Sequence, residues 1–113
     1  MLKIYHYPRC KYSRNGKQFL IDKNIAFTER NHITNPLTEK EIKILLNKLN
    51  LNAIDIIRTN DSIYLKQFKN KQFTNEEWIS ILIEFPKLIK RPIIESDYKA
   101  IIGNPVENIY KII

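Results

Sequence analysis

The first 31 residues predict a strand, a helix and a second strand, and this order restricts the fold more than any other feature of the sequence. Apolar and polar side chains alternate in "LKIYHY", which is typical of a strand, and Pro8 ends it. The segment "SRNGKQFLIDKN" has helical spacing, and Ser13 is its predicted N-cap. Because "IAFTERN" is rich in strand formers, the chain should open with a βαβ unit.

The middle of the chain predicts helices. Thr38 with Glu41, and Thr74 with Glu77, have the spacing of capping boxes, and each pair precedes a stripe of apolar residues. The second of these helices should stop at Pro86. Between them, "AIDIIR" and "DSIYLKQF" predict short helical pieces.

The last part of the chain predicts a hairpin and a closing helix. The stretch "IIESDYKAII" indicates two short strands around a turn at Ser96 and Asp97. Asn104 is the predicted N-cap of the helix "PVENIYKII". Together these elements predict one α/β domain over residues 1–113, in which helices pack on a mixed sheet and a helical insertion occupies about residues 36–90.

The composition bears on the solubility, the compartment and the binding partners of the protein. Its 43% hydrophobic and 27% charged residues are ordinary for a globular domain, no apolar run is long enough for a membrane helix, and no secretion signal is visible. We therefore expect a soluble protein of the cytoplasm. The net charge of +7 comes from lysines spread along the chain, so we expect a solvated surface and no nucleic-acid or membrane partner.

The only cysteine, Cys10, lies where the first helix should begin, and Arg9, Lys11 and Arg14 surround it. Cations and a helix N-terminus both lower the pKa of a thiol, so the sequence predicts a reactive thiolate. Arg14 lies about one turn into the helix and can point back to the sulfur. The alternative is that Cys10 is a buried small hydrophobic residue, as free cysteines often are.

His6 ends the first strand and could donate a hydrogen bond to the thiolate or accept the thiol proton. It could equally be a packed side chain on the inner face of a strand. Ser13 stands where a C-x-x-C motif would have its second cysteine, and a serine cannot resolve a mixed disulfide. Turnover would therefore need an external thiol such as glutathione.

Arg58 ends the apolar "AIDIIR", and Arg91 precedes Pro92 in a peptide bond that could be cis. The planar guanidinium suits tetrahedral oxyanions, so these arginines could line an anion pocket around Cys10. The alternative is that each forms an ordinary surface ion pair.

Four segments, "IYHYPRCKYSRN", "IIRTND", "FPKLIKRPII" and "IIGNPVENI", resemble in order and spacing the glutaredoxin-linked arsenate reductases of the ArsC family, which also includes Spx-type regulators. The resemblance implies a thioredoxin-like fold with a helical insertion. It implies a nucleophile at Cys10, an assisting histidine at His6 and helix-start residues at Ser13, Arg14 and Asn15.

The family's oxyanion-binding arginines match Arg58 and Arg91, while its third one, before a proline near the C-terminus, is replaced by Asn104. Loss of that charge-assisted contact, typically about 1.5–3 kcal/mol, predicts weaker arsenate binding. Tyr7 replaces the small polar residue that the family has before the first proline.

The leading hypothesis is a reductase in which the Cys10 thiolate attacks arsenate or another small oxyanion, with glutathione as co-substrate and glutaredoxin recycling it. We expect no metal site and no tightly bound cofactor. One alternative is a glutaredoxin-like thiol oxidoreductase without arsenate activity, which Asn104 favours. Another is a regulator that binds RNA polymerase as Spx-type proteins do, although Ser13 removes their two-cysteine switch.

Overall fold

The computed structural model describes residues 1–113, which divide into two compact units. We call residues 1–36 and 91–113 the sheet unit, and residues 37–90 the helical unit. The helical unit lies between the two parts of the sheet unit in sequence. The single domain over residues 1–113 stays a prediction.

The sheet unit holds four strands, one long helix and a closing 3₁₀ helix. The strands are β1 (Leu2–His6), β2 (Phe27–Asn31), β3 (Ile93–Glu95) and β4 (Ala100–Ile102). The helix α1 (Lys11–Asp22) connects β1 to β2, and the 3₁₀ helix spans Val106–Lys111. The sheet order is β2-β1-β3-β4, with β1 and β2 parallel and the other two pairs antiparallel. The predicted α/β fold with a mixed sheet is confirmed.

The core of the sheet unit lies on the face of the sheet that α1 covers. Ile4 and Ile94 are register partners on β1 and β3, and they pack in one fully buried cluster with Leu20 of α1 and Ile109. Gly16 allows α1 to approach closely, because a Cβ atom at this position would lie 2.6 Å from Cγ of Pro92. A side chain here would therefore collide with the residue that follows Arg91.

Two cap predictions in the sheet unit are wrong. Helix α1 begins at Lys11, three residues earlier than predicted from Ser13, so Cys10 is its N-cap. Ser13 lies inside the first turn, where its Oγ accepts a hydrogen bond from the backbone N–H of Tyr7 (3.0 Å). Pro105, with an extended backbone, and not Asn104, caps the closing helix, because the first backbone bond runs from Asn108 N to Pro105 O.

The helical unit contains α2 (Glu39–Leu49), α3 (Ser62–Gln67) and α4 (Asn75–Glu84), with 3₁₀ helices at Ala53–Ile56 and Pro86–Leu88. Both predicted capping boxes are confirmed, and in each the threonine Oγ1 accepts from the backbone N–H of the glutamate at 3.2 Å. The predicted apolar stripes are confirmed in part, since Ile42, Leu45 and Leu46 on α2 and Trp78 and Leu82 on α4 are buried. Leu49 and Phe85, which the pattern also included, are only half-buried, and Ile79 is buried in addition. None of the helices is both long and apolar enough to cross a membrane.

Candidate active site

Cys10 lies between the end of β1 and the first turn of α1. Its backbone N–H donates to Tyr7 O (2.8 Å), and its carbonyl accepts the first helical bond from Arg14 N (3.1 Å). As the N-cap, Cys10 is placed next to the backbone N–H groups that have no partner within the helix. Its side chain is partly exposed and forms no disulfide. It is therefore accessible and is held at a helix N-terminus.

The surroundings of Cys10 favour its thiolate form. Burial by itself would raise the pKa of the thiol, but the N–H of Ser13, the guanidinium of Arg91 and the N–H of Tyr12 together lower it below the ordinary value. Ser13 and Tyr12 belong to the first turn of α1. Arg91 comes from the second sequence segment of the sheet unit, residues 91–113. This is the direction that the sequence predicts, although Arg91 acts here in place of the neighbouring Arg9 and Lys11, which are exposed.

Arg91 is a buried cation beside the thiol. Its side chain is only 7% exposed, and its guanidinium carbon lies 5.3 Å from the centre of the Tyr7 ring, in cation–π geometry. The peptide bond between Arg91 and Pro92 is cis, as predicted. The guanidinium both hydrogen bonds to the thiolate and contributes its charge. A positive group is therefore available where an anionic substrate would meet Cys10.

Ser13 and Arg14 stabilise the loop before α1. Ser13 is fully buried, and its hydroxyl holds the backbone of Tyr7 while its N–H faces the thiol. Arg14 is exposed, and its Nη1 donates to Pro8 O at 2.9 Å. Both residues thus fix the turn that presents Cys10, and a direct part in catalysis stays a prediction for each.

His6 hydrogen bonds to a residue of the neighbouring strand. Its Nε2 lies 3.2 Å from Oε2 of Glu29 on β2, and Oε1 of Glu29 lies 2.6 Å from Nζ of Lys17 on α1. The other ring nitrogen, Nδ1, is buried and has no hydrogen-bond partner. The expected role of His6 toward Cys10 stays a prediction, but its ring is oriented by Glu29.

A second histidine, His32, follows β2 and is fully buried. Neither of its ring nitrogens makes a well-aligned hydrogen bond, and the one polar contact that favours its protonated form is with the backbone of His6. Burial, together with the positive charge of Arg91 and the proximity of His6, lowers its pKa to about 4. His32 is therefore neutral at neutral pH and belongs to the same polar interior as His6 and Arg91.

The other two predicted binding residues have different surroundings. Arg58 belongs to the helical unit, where its Nη1 lies 3.1 Å from Oδ2 of Asp61 and its backbone N–H donates to Leu88 O. Asn104 is exposed in the sheet unit, just before the closing helix. Oxyanion binding by either residue stays a prediction.

Sequence reasoning missed Glu29, Lys17 and His32. A usable signal was present, because β1 and β2 were expected to be the strands of a βαβ unit, and the carboxyl ends of parallel strands meet at one edge of a sheet. His6 ends β1, while Glu29 and His32 lie near the end of β2. Polar residues at the ends of these two strands are therefore expected to lie close together.

These groups supply a nucleophile, a cation and a histidine, which suits attack of sulfur on an anionic electrophile. The structure contains no group of three or more His, Cys, Asp or Glu side chains that could hold a metal ion.

Comparison with known proteins identifies relatives over almost the whole chain. The arsenate reductase of Neisseria meningitidis is 33% identical over 110 residues, which cover 96% of this chain and 94% of that protein. The global transcriptional regulator Spx 1 of Lactococcus lactis is 30% identical over 104 residues, which cover 91% and 81%. Two different kinds of protein are thus similar to this chain.

Comparison with solved structures also identifies an arsenate reductase. The structure of the arsenate reductase from Vibrio cholerae superposes with a TM-score of 0.92 at 28% identity, covering 99% of this chain and 97% of that one. This confirms the thioredoxin-like fold class. The model of the ArsC family matches residues 5–112. The chain therefore belongs to the ArsC family.

Proposed function

We propose that this protein is a thiol-dependent arsenate reductase in which Cys10 is the nucleophile. The observation that carries the proposal is the position of Cys10, a partly exposed free cysteine at the N-terminus of α1, where the first turn and the buried Arg91 lower the pKa of its thiol. The similarity to the arsenate reductases of N. meningitidis and V. cholerae supports it.

Arg91 would bind the substrate as well as activate the nucleophile. Arsenate is a tetrahedral oxyanion, and the planar fork of a guanidinium can give it two charge-assisted hydrogen bonds. Because Arg91 is 7% exposed, these bonds would form with little competition from water. A contribution of Arg58 to the same oxyanion is part of the proposal, since the family resemblance assigns it that role.

The reaction begins when the Cys10 sulfur attacks As(V), so that an S–As bond forms, an As–O bond breaks and water leaves. Glutathione condenses with this adduct, forming a second S–As bond with loss of another water. A second thiol then attacks the glutathione sulfur, the electron pair of that S–As bond stays on arsenic, and As(V) becomes As(III) as a disulfide forms. Water finally cleaves the Cys10–As bond and releases arsenite and the thiolate.

The second thiol must come from outside the chain, since Cys10 is its only cysteine. We propose glutathione as the co-substrate and glutaredoxin as the protein that recycles it. Overall, one arsenate and two thiols give one arsenite, one disulfide and one water.

The test compares arsenite production by the wild type and Cys10→Ser, with glutathione and glutaredoxin present. We expect turnover by the wild type and none above background by the variant, because a serine hydroxyl is not ionised at neutral pH. Ser80→Ala, which changes an exposed serine of the helical unit, is the control. Equal rates for wild type and Cys10→Ser would contradict the proposal.

A second candidate is a thiol oxidoreductase of the same fold that does not reduce arsenate. The exposed Asn104 favours it, because the family has an anion-binding arginine at the matching position. If arsenate reduction is the function, Asn104→Arg should raise arsenate turnover. No gain, together with reduction of glutathione mixed disulfides by Cys10, would support this second candidate.

A third candidate is a transcriptional regulator, which the similarity to Spx 1 of L. lactis favours. A lone cysteine cannot form the internal disulfide of a two-cysteine switch, so regulation would have to be independent of such a bond. Retention of RNA polymerase subunits by the immobilised protein would support this candidate. Their absence, with arsenite production intact, would count against it.

A further inference from the structure

The two nitrogens of the His6 ring have opposite surroundings. Nε2 lies 3.2 Å from a carboxylate oxygen of Glu29, whereas Nδ1 is buried and has no hydrogen-bond partner. The whole residue is only 5% exposed, so Nδ1 is shielded from solvent. A buried polar nitrogen without a partner is costly to keep and is expected where the group has a chemical use.

Glu29 reaches His6 because of the register of the parallel strands. His6 is paired with Asn31 and Ile4 with Glu29, so all four side chains project from one face of the sheet. Glu29 is the diagonal neighbour of His6 on that face, two residues from its direct partner. The face is the one that α1 covers.

Lys17 of α1 keeps Glu29 charged and in place. Its Nζ lies 2.6 Å from Oε1 of Glu29, which leaves Oε2 for His6. The hydrogen bond from Lys17 is the main cause of the lowered pKa of the Glu29 carboxyl. His6 therefore faces a carboxylate and not a protonated acid at neutral pH.

A carboxylate can only accept hydrogen bonds. If neutral His6 carried its proton on Nδ1, the lone pair of Nε2 would face the charge of Glu29, which is repulsive. The arrangement is favourable only when Nε2 carries the proton. The remaining lone pair then lies on Nδ1.

The other charged and titratable groups near His6 do not offer such an acceptor. Arg91 is cationic, and its charge acts on the same buried region. His32 interacts with both His6 and Arg91, and it is neutral at neutral pH. Glu29 is thus the one side chain shown within hydrogen-bond distance of the His6 ring.

We propose that Glu29 is a positioning residue: it holds neutral His6 as the Nε2–H tautomer, so that Nδ1 is the proton acceptor of the ring. Resting on the proposed function, and on the role toward Cys10 that the family resemblance gives His6, the proton is that of the Cys10 thiol. The S–H bond breaks, its electron pair stays on sulfur, and an N–H bond forms at Nδ1. His6 then carries a positive charge that Glu29 balances.

The experiment measures the tautomer of His6 directly by ¹⁵N NMR of histidine-labelled protein at about pH 8, above the ordinary pKa of histidine. His6→Asn assigns the resonances, because only two histidines are present. In the wild type we expect Nδ1 to show the shift of an unprotonated nitrogen. In Glu29→Val and Glu29→Met, which remove the carboxylate acceptor, the fraction of the Nδ1–H tautomer should rise at least severalfold.

Glu95→Gln is the matched control, since Glu95 of β3 accepts from the Tyr5 hydroxyl on the other face of the sheet. It should leave the His6 tautomer unchanged. The proposal is overturned if wild-type His6 carries its proton on Nδ1, or if neither Glu29 variant changes the tautomer ratio. Should Glu29→Val not fold, Glu29→Met alone decides, because it keeps the length of the side chain and has no oxygen acceptor.

The readout does not depend on arsenate. If the protein produced no arsenite while the tautomer shifted as expected, the proposed function would fail and the positioning role of Glu29 would remain.

Discussion

The two units of the molecule differ in what they bury. The sheet unit contains every buried polar or charged side chain of the protein, namely His6, Ser13, His32 and Arg91. All the buried side chains of the helical unit are apolar. Since burying polar groups costs free energy, the polar interior of the sheet unit lowers its stability, whereas the apolar interior of the helical unit contributes to stability through packing.

The helical unit gains its structure from local rules. Two capping boxes start its main helices, α2 and α4. Aromatic side chains close in sequence also pack together, with the rings of Phe73 and Trp78 in an edge-to-face contact whose centroids are 4.9 Å apart. The sheet unit instead brings together residues that are far apart in sequence, such as Cys10 and Arg91. Substitutions in the two units should therefore be read out by different measurements.

The largest expected effect is on stability and comes from the helical unit. Leu82 is fully buried, so Leu82→Ala should lower the free energy of unfolding by about 2–5 kcal/mol through lost contacts and a cavity. Denaturant titration measures this loss. In the folded variant the pH dependence of Cys10 alkylation should match the wild type, and a clear shift would break the distinction between the units.

The next effect is the pH dependence of stability caused by His32. Its pKa is about 4 in the folded protein and 6.5 ordinarily, so the unfolded chain binds more protons between these values. Stability from this residue is complete above pH 6.5 and is lost as the pH falls toward 4. At about 1.36 kcal/mol per pH unit, the loss amounts to about 3 kcal/mol.

His32→Leu removes this titrating group, so the variant should lose less stability than the wild type over the same pH range. Denaturant titrations of both proteins at several pH values give the comparison. Identical pH dependences would show that His32 is not held neutral by burial.

A somewhat smaller effect is expected at Arg91. Arg91→Met keeps much of the apolar stem but removes the hydrogen bond and charge that favour the thiolate, so the pKa of Cys10 should rise. Loss of one charge-assisted contact of about 1.5–3 kcal/mol predicts arsenate turnover lower by roughly tenfold to a hundredfold. Alkylation against pH and an arsenite assay measure the two effects.

Arg30→Met is the control for Arg91→Met, because Arg30 hydrogen bonds to the carbonyls of Asn35 and Pro36. It should leave the ionisation of Cys10 as it is. An equal rise in the pKa of Cys10 in both variants would mean that general surface charge, and not Arg91, sets the thiolate.

The smallest effect belongs to the helix caps. Thr38→Ala removes the Oγ1 that accepts from Glu41 N–H, and should cost about 1 kcal/mol of stability. Thr74→Ala should cost a similar amount, since its capping box has the same geometry. Urea titration checks both. A much larger cost at either position would mean that the cap has a role beyond its own helix.

The sequence predicted most of the fold because the informative signals were local. Capping boxes at Thr38 and Thr74, the break at Pro86 and the turn at Ser96 each depend on a few neighbouring residues. The two wrong caps show the limit of such signals. Ser13 is a good N-cap residue by type, but its hydroxyl is used by the loop backbone at Tyr7.

The site was predicted less completely. Cys10 and Arg91 followed from residue type and motif, whereas Glu29 and His32 depend on strand register and on burial. A lone histidine in the sequence gives no sign of whether its ring will be paired, as His6 is, or enclosed without a well-aligned hydrogen bond, as His32 is. Register and enclosure become visible only when distant segments are assembled.

Gly16 lies in the second turn of α1, where glycine is less favourable to a helix than alanine. In the fold its lack of a side chain allows close packing, because a Cβ atom at this position would lie 2.6 Å from Cγ of Pro92. Helix α1, which begins directly after Cys10, is therefore in close contact at Gly16 with Pro92, the residue that follows Arg91. A methyl group at residue 16 would force α1 or Pro92 to shift, and so would disturb the position of Cys10 relative to Arg91 while leaving both side chains in place.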